Sequence, residues 1–186
     1  MTTVLKLLNE DYRRSRLSIF KLIGGFFIFS PFWLIVIYRL ANWFYINHIP
    51  YIPDALECIE RILYGAEISS SSNIGPEFQI VHSVGLVIGP KVVAGKNFRI
   101  HQNVTIGMRE RECNGMKTPV FGDNVTVYAG AAILGPIKIG DNVKIGANAV
   151  VINDVPPNVI VGGVPARIIK RFPLNGQSTE SSVKDD

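Results

Sequence analysis

The sequence predicts a mainly β protein: a parallel β-solenoid with an apolar helical region at its N-terminal end. Large apolar residues recur every six positions from Ile68 onward, glycine follows many of them, and residues 1–66 do not share the pattern. The recurring position is Ile68, Ile74, Ile80, then Ile88, Ala94, Ile100, Ile106, then after a break Phe121, Val127, Ile133, Ile139, Ile145 and Val151. A second, mostly apolar position falls four residues later, as at Phe78, Val92, Phe98, Val104, Val125, Ile137 and Val143.

A period of six matches neither a helix at 3.6 nor an alternating strand at 2. It matches a short strand plus a turn, in which the first position points inward, Gly or Asn/Asp supplies the turn, and the second position fills the corner. The clearest stretch is "IGDNVKIGANAVV", Ile139 to Val151. Three such hexads make one triangular coil of about eighteen residues, paired in parallel with the coils beside it. A single coil cannot exclude water from its own faces, so the reading requires about five stacked coils. A β-sandwich is the competing architecture, but its turns recur every 8–12 residues or so. The phase instead holds over consecutive hexads from Phe121 to Val151. Spacing does not determine the hand of the coil.

In chain order, residues 1–66 come first. They carry six basic residues among the first 39 (Lys6, Arg13, Arg14, Arg16, Lys21, Arg39) and two uncharged stretches, Leu22 to Tyr38 and Leu40 to Pro53. Three arrangements compete. Helices can pack on the end of the solenoid, or an amphipathic or re-entrant hairpin can lie on an anionic membrane surface. As a third option, Leu22 to Tyr38 spans a bilayer. That stretch is short for a span and is interrupted by Gly24, Gly25 and Pro31, so the span ranks last. The solenoid follows over residues 67–170, broken at 108–118 by the polar loop in "MRERECNGMKTP". Residues 171–186 read as a flexible tail, because "NGQSTESSVKDD" has no apolar anchor.

Composition narrows the function. Charged residues make up 18% and hydrophobic residues 47%, with a net charge of +4. Mean hydropathy is +0.24. No basic run laced with aromatics argues for nucleic acid. Cys58 and Cys113 form neither a disulfide framework nor a zinc spacing, and three scattered histidines imply no metal. The start "MTTVLKLLNEDYRRSR" carries Glu10 and Asp11 and shows no export signal, so a cytoplasmic location is expected.

The beat slips once within the first run. After Ile80 the next inward residue is due at Leu86, yet the pattern resumes at Ile88, and His82 lies in the gap. A turn histidine can simply cap backbone groups. A slip in a regular solenoid also places a side chain where the repeat would not, and neutral imidazole is well suited to take a proton from a hydroxyl.

The hexads, His82 in the slip, the loop before the second run, and the ending "VPPNVIVGGVPARIIK" (Val155 to Lys170) together resemble the left-handed β-helix acyltransferases. The resemblance covers about residues 55 to 170. Its nearest branch is the serine acetyltransferases, and within that the members that O-acetylate capsular, colanic-acid-type or other bacterial surface polysaccharides. It implies a left-handed coil, acetyl-CoA as donor, and a homotrimer with active sites between neighbouring β-helices; two trimers joining is a further option. His82 is then the general base, and Glu67, fifteen residues earlier, its orienting carboxylate. Backbone donors near Gly107 and Met108 would face the oxyanion. Ala129, Gly130, Lys144 and the segment from Gly163 to Arg167 would meet coenzyme A. His101 follows Ile100 and should point outward near the next coil, as a second candidate site residue or a rim contact on the acceptor side.

Two positions depart from the serine enzymes. Val81 stands where they carry an acid, and Lys117 and Thr118, the expected acceptor contacts, stand where they carry an Arg-His pair, with Lys117 able to act for the missing arginine. Those departures point away from serine, so the expectation is O-acetylation of a sugar hydroxyl on a surface polysaccharide or its precursor, at the inner face of the cytoplasmic membrane. Serine O-acetylation is the first alternative, and a non-catalytic β-helix serving assembly or binding is the second.

Overall fold

The computed structural model describes residues 2–15, 31–108 and 118–172. From Glu67 the chain winds as a triangular left-handed coil whose three faces are parallel sheets. The first sheet stacks β1 (Glu67–Ile68), β4 (Val87–Ile88), β7 (Thr105–Gly107), β10 (Ala132–Leu134) and β13 (Val150–Val151). The second stacks β2 (Asn73–Ile74), β5 (Val93–Ala94), β8 (Val120–Phe121) and β11 (Lys138–Ile139). The third stacks β3 (Gln79–Ile80), β6 (Arg99–Ile100), β9 (Thr126–Val127), β12 (Lys144–Ile145) and β14 (Val159–Gly162), with β15 (Arg167–Arg171) closing it as an antiparallel strand.

In the two-residue strands the second residue points inward and is buried, as in Ile68, Ile88, Ile100 and Ile145. The column is matched in volume as well as polarity. Ala94, the small member of the inward series, pairs with Phe121, the aromatic one, so close packing is kept. Phe98 fills the same level, stacked on Phe78 at 6.0 Å and 5.1 Å from Phe121.

The corner between the second and third sheets shows why asparagine recurs. Asn97, Asn124, Asn142 and Asn158 each adopt the left-handed backbone that the turn demands. Their amides hydrogen-bond from coil to coil, Asn97 to Asn124 at 2.8 Å, Asn124 to Asn142 at 3.1 Å and Asn142 to Asn158 at 2.9 Å.

The N-terminal region forms α1 (Thr2–Ser15), α2 (Pro31–Ile46) and α3 (Ile52–Tyr64). Pro31 and Pro53 suit first turns, and Gly65 ends α3 in the left-handed conformation. These helices cover the open end of the first coil, where alternate backbone groups have no coil to pair with. On the first side, Glu60 accepts from the Ile68 N–H at 2.9 Å and Glu57 from the Ser70 N–H at 2.6 Å. On the second, Arg39 donates to the carbonyls of Ile74 and Gly75, Asn42 to those of Ser70 and Ser72, and Tyr38 accepts from the Ile74 N–H. On the third, Asp11 accepts from the Phe78 N–H at 2.8 Å. Arg39 and Asp11 are themselves a buried ion pair at 2.9 Å. No helix among the described residues is long and apolar enough to cross a membrane. The first part of Leu22 to Tyr38 lies outside those residues.

Candidate active site

The corner joining the third sheet to the first is built on left-handed turn residues at Gly85, Asn103, Gly130 and Asn148. In the second and third coils two residues separate the inward strand residue from this turn, His101–Gln102 and Tyr128–Ala129. In the first coil four do so, Val81 to Val84. The register agrees: Glu67 pairs with Val87 across a coil of twenty residues, and Val87 with Thr105 across one of eighteen. The slip is therefore a local expansion of one corner.

Both ends of the expansion are tied. The Val81 N–H donates to the Ile100 carbonyl at 2.9 Å, and the Gly85 N–H to that of Gly65 at 2.8 Å. His82 lies between these anchors and is exposed. Glu67 flanks the same corner, its N–H bonded to the Leu86 carbonyl at 2.8 Å. Its carboxylate pairs with Arg61 at 3.3 Å rather than with His82.

One coil further on, His101 follows the strand that pairs with β3. Its ring is 5.1 Å from that of Tyr128, and its buried Nε2 has no hydrogen-bond partner. Burial holds its pKa below the ordinary histidine range, and the charges of Arg99 and His82 push it the same way. The Nε of Arg99 and the Oε1 of Gln102 are likewise buried and unpaired. Sequence reasoning passed over Arg99 and Gln102. The available signal was the repeat register, which sets outward residues of one coil beside those of the next.

The other expected site residues divide between two edges of the first sheet. Ala129, Gly130 and Gly163 fall on the His82 corner, in the coils beyond it, together with Ala147, which sequence reasoning did not single out. Gly130 has a structural reason of its own: its backbone is left-handed, and a Cβ there would run into the Asn148 side-chain oxygen. Lys144 projects from the third sheet with its Nζ 5.5 Å above the Phe172 ring, and Arg167 opens β15 in an exposed position. Gly107 and Met108 lie at the opposite edge of the first sheet, at the end of β7. Thr118 is on that edge too, but it is buried and its hydroxyl donates to the Lys91 carbonyl at 2.9 Å, so it braces the loop's return instead of facing an acceptor. Lys117 and residues 109–117 of the loop are outside the described residues. No group of three or more His, Cys, Asp or Glu gathers among the described residues in a way that could hold a metal.

This fold, with a histidine raised from one corner and a column of small residues in the coils beyond it, is a hexapeptide-repeat β-helix. The family model for "Bacterial transferase hexapeptide (six repeats)" matches residues 118–153. A serine acetyltransferase of Synechococcus elongatus is 41% identical over 158 residues, which are 85% of this chain and 64% of that protein. The structure of a Neisseria gonorrhoeae serine acetyltransferase in complex with serine superposes with a TM-score of 0.80 at 30% identity, over 91% of this chain and 70% of that one. A serine acetyltransferase in complex with CoA superposes with a TM-score of 0.78 at 27% identity, over 90% and 70% of the two chains. The chain belongs to the serine acetyltransferase family of hexapeptide-repeat acyltransferases. It spans less than two thirds of the length of the cyanobacterial relative.

These relatives overturn the expected polysaccharide-modifying branch. The expectation gave two side-chain departures, at Val81 and at Lys117–Thr118, more weight than the whole-chain likeness. Single positions near a site can change while the scaffold that carries them does not.

Proposed function

We propose that this chain is an acetyl-CoA-dependent O-acetyltransferase acting on the hydroxyl of L-serine, with His82 as its general base. The observation that carries the reading is the match, over most of this chain, to serine acetyltransferases that include one solved with serine. The locally expanded corner that presents His82 supports the choice of base. His82 takes the hydroxyl proton as the oxygen attacks the thioester carbonyl. Backbone donors at Gly107 and Met108 hold the resulting oxyanion. The tetrahedral species collapses, the C–S bond breaks, and the imidazolium returns the proton to the departing thiolate, leaving O-acetylserine and coenzyme A.

The donor's arm lies along the corner beside Ala129, Gly130 and Gly163, where small side chains allow close approach to the backbone. Lys144 and Arg167 meet its phosphates. Within one chain Gly107 and Met108 sit across the first sheet from His82, so a homotrimer, in which a neighbour's loop edge faces His82, would complete the site. Glu67 orients His82 once it is released from its exposed pair with Arg61.

The test is coenzyme A release by the full chain given acetyl-CoA and L-serine. Serine-dependent release is expected, and His82→Ala should lower kcat by ~10²–10⁴ with the thermal midpoint nearly unchanged. A wild-type chain that binds acetyl-CoA yet shows no serine-dependent release would overturn the reading.

A further inference from the structure

Among the described residues, the buried side-chain nitrogens and oxygens without a hydrogen bond are Glu60 Oε1 in the helical cap and three atoms on one strand end: Arg99 Nε, His101 Nε2 and Gln102 Oε1. Folded proteins keep few such groups, because each has lost water without gaining a partner. Three within four consecutive residues, one coil from His82, point to a partner outside the chain.

The chemistry of the outer two is complementary. Arginine offers only donors and a fixed positive charge, while the amide oxygen of glutamine only accepts. A carboxylate would satisfy the first and an ammonium group the second. The positions where the serine enzymes carry charged groups do not supply these roles: Val81, beside His82, is apolar, and the Thr118 hydroxyl, at the opposite edge of the first sheet, is bonded to Lys91. Arg99 and Val81 also line a cavity of about 220 Å³ between the third sheet and the helices α1 and α2; His82, His101 and Gln102 do not line it, so that room lies on the Arg99 side alone. Both side chains are only half-buried, so a rotation of the guanidinium or a flip of the amide turns the unpaired group toward the open face.

We infer that Arg99 and Gln102 grip the two charged ends of a small zwitterionic hydroxy amino acid, Arg99 its carboxylate and Gln102 its ammonium, with the His101 ring as the wall between them and the hydroxyl left at His82. This rests on the serine reading above. It assigns acceptor specificity to the coil after the base.

The experiment is steady-state kinetics of the full chain with acetyl-CoA and L-serine. Arg99→Leu should raise the serine KM about tenfold to a hundredfold, the usual worth of a charge-assisted hydrogen bond, with kcat and the acetyl-CoA KM little changed. Arg99→Lys should recover part of the loss by keeping the charge, and it serves as the check should the leucine variant fold poorly. Gln102→Leu should raise the serine KM, while Gln102→Glu, which sets a negative charge opposite the ammonium, should lower it. Serine turnover with KM unmoved in Arg99→Leu and Gln102→Leu overturns the grip and leaves the serine reading standing. Absence of serine turnover in the wild-type chain overturns both.

Discussion

The coil interior and the helical cap both shield the hydrogen-bonded edge of a parallel coil, and they do so with opposite side chains. Between coils the neighbour's backbone takes up the edge groups, and the interior needs only apolar volume, as in Ile88, Ile106, Ile133 and Ile145. At the first coil there is no neighbour, and the same groups are met by Glu57, Glu60, Tyr38, Arg39, Asn42 and Asp11. The lesson is that a solenoid's repeats are interchangeable in chemistry while its end is not. The end has to bury polar and charged groups against the open backbone edge, and all but the Glu60 Oε1 find partners among the described residues.

That contrast can be broken most severely at Arg39. Its guanidinium holds Asp11 and two carbonyls while almost wholly buried. Burial pushes the Asp11 carboxyl above its ordinary range, and the Arg39 charge and hydrogen bond pull it back. Arg39→Leu takes the guanidinium from the Ile74 and Gly75 carbonyls and leaves the Asp11 carboxyl with the Phe78 N–H but no countercharge. We expect a loss of about 3–5 kcal/mol, read by urea denaturation. A double variant that also replaces Asp11 with Leu should recover part of it.

A smaller, pH-dependent effect is expected at Glu60. Burial is the main cause that pushes its pKa up from 4.5 to about 8, and the charges of Glu57 and Glu67 add to the shift. The folded chain therefore keeps a proton that the unfolded chain releases. Stability from this group is fully present below pH 4.5 and declines as pH rises toward about 8. Glu60→Gln should flatten that decline, as measured by thermal midpoints across the same window. A slope identical to the wild type would place its source elsewhere.

The least effect is expected in the interior. Ile133→Val removes one methylene from a column that can settle around it, at a cost of about 0.5–1.5 kcal/mol. A loss as large as that of Arg39→Leu would show that the repeat is no more forgiving than the cap.

The interior was legible because stacking imposes a period on the chain, and a period survives any single substitution. The His82 corner was legible for the same reason, as an interruption of that period. Glu67 was expected beside His82, whereas its carboxylate is paired with Arg61, a residue on a helix whose position no repeat announces. Thr118 was expected at the acceptor and is instead tied to Lys91. Arg99 and Gln102 were invisible as a pair, since their lack of partners is a property of packing and not of residue type.

By itself the sequence determined the coil, its corners and the one place where a histidine leaves the pattern, because each follows from local spacing of apolar and turn-forming residues. Only the tertiary structure decided that ionisable residues far apart in the chain, Asp11, Arg39 and Glu60, would be buried over the first coil. Their placement depends on which backbone groups the last unpaired edge leaves open, and that is settled only when the helices meet the solenoid.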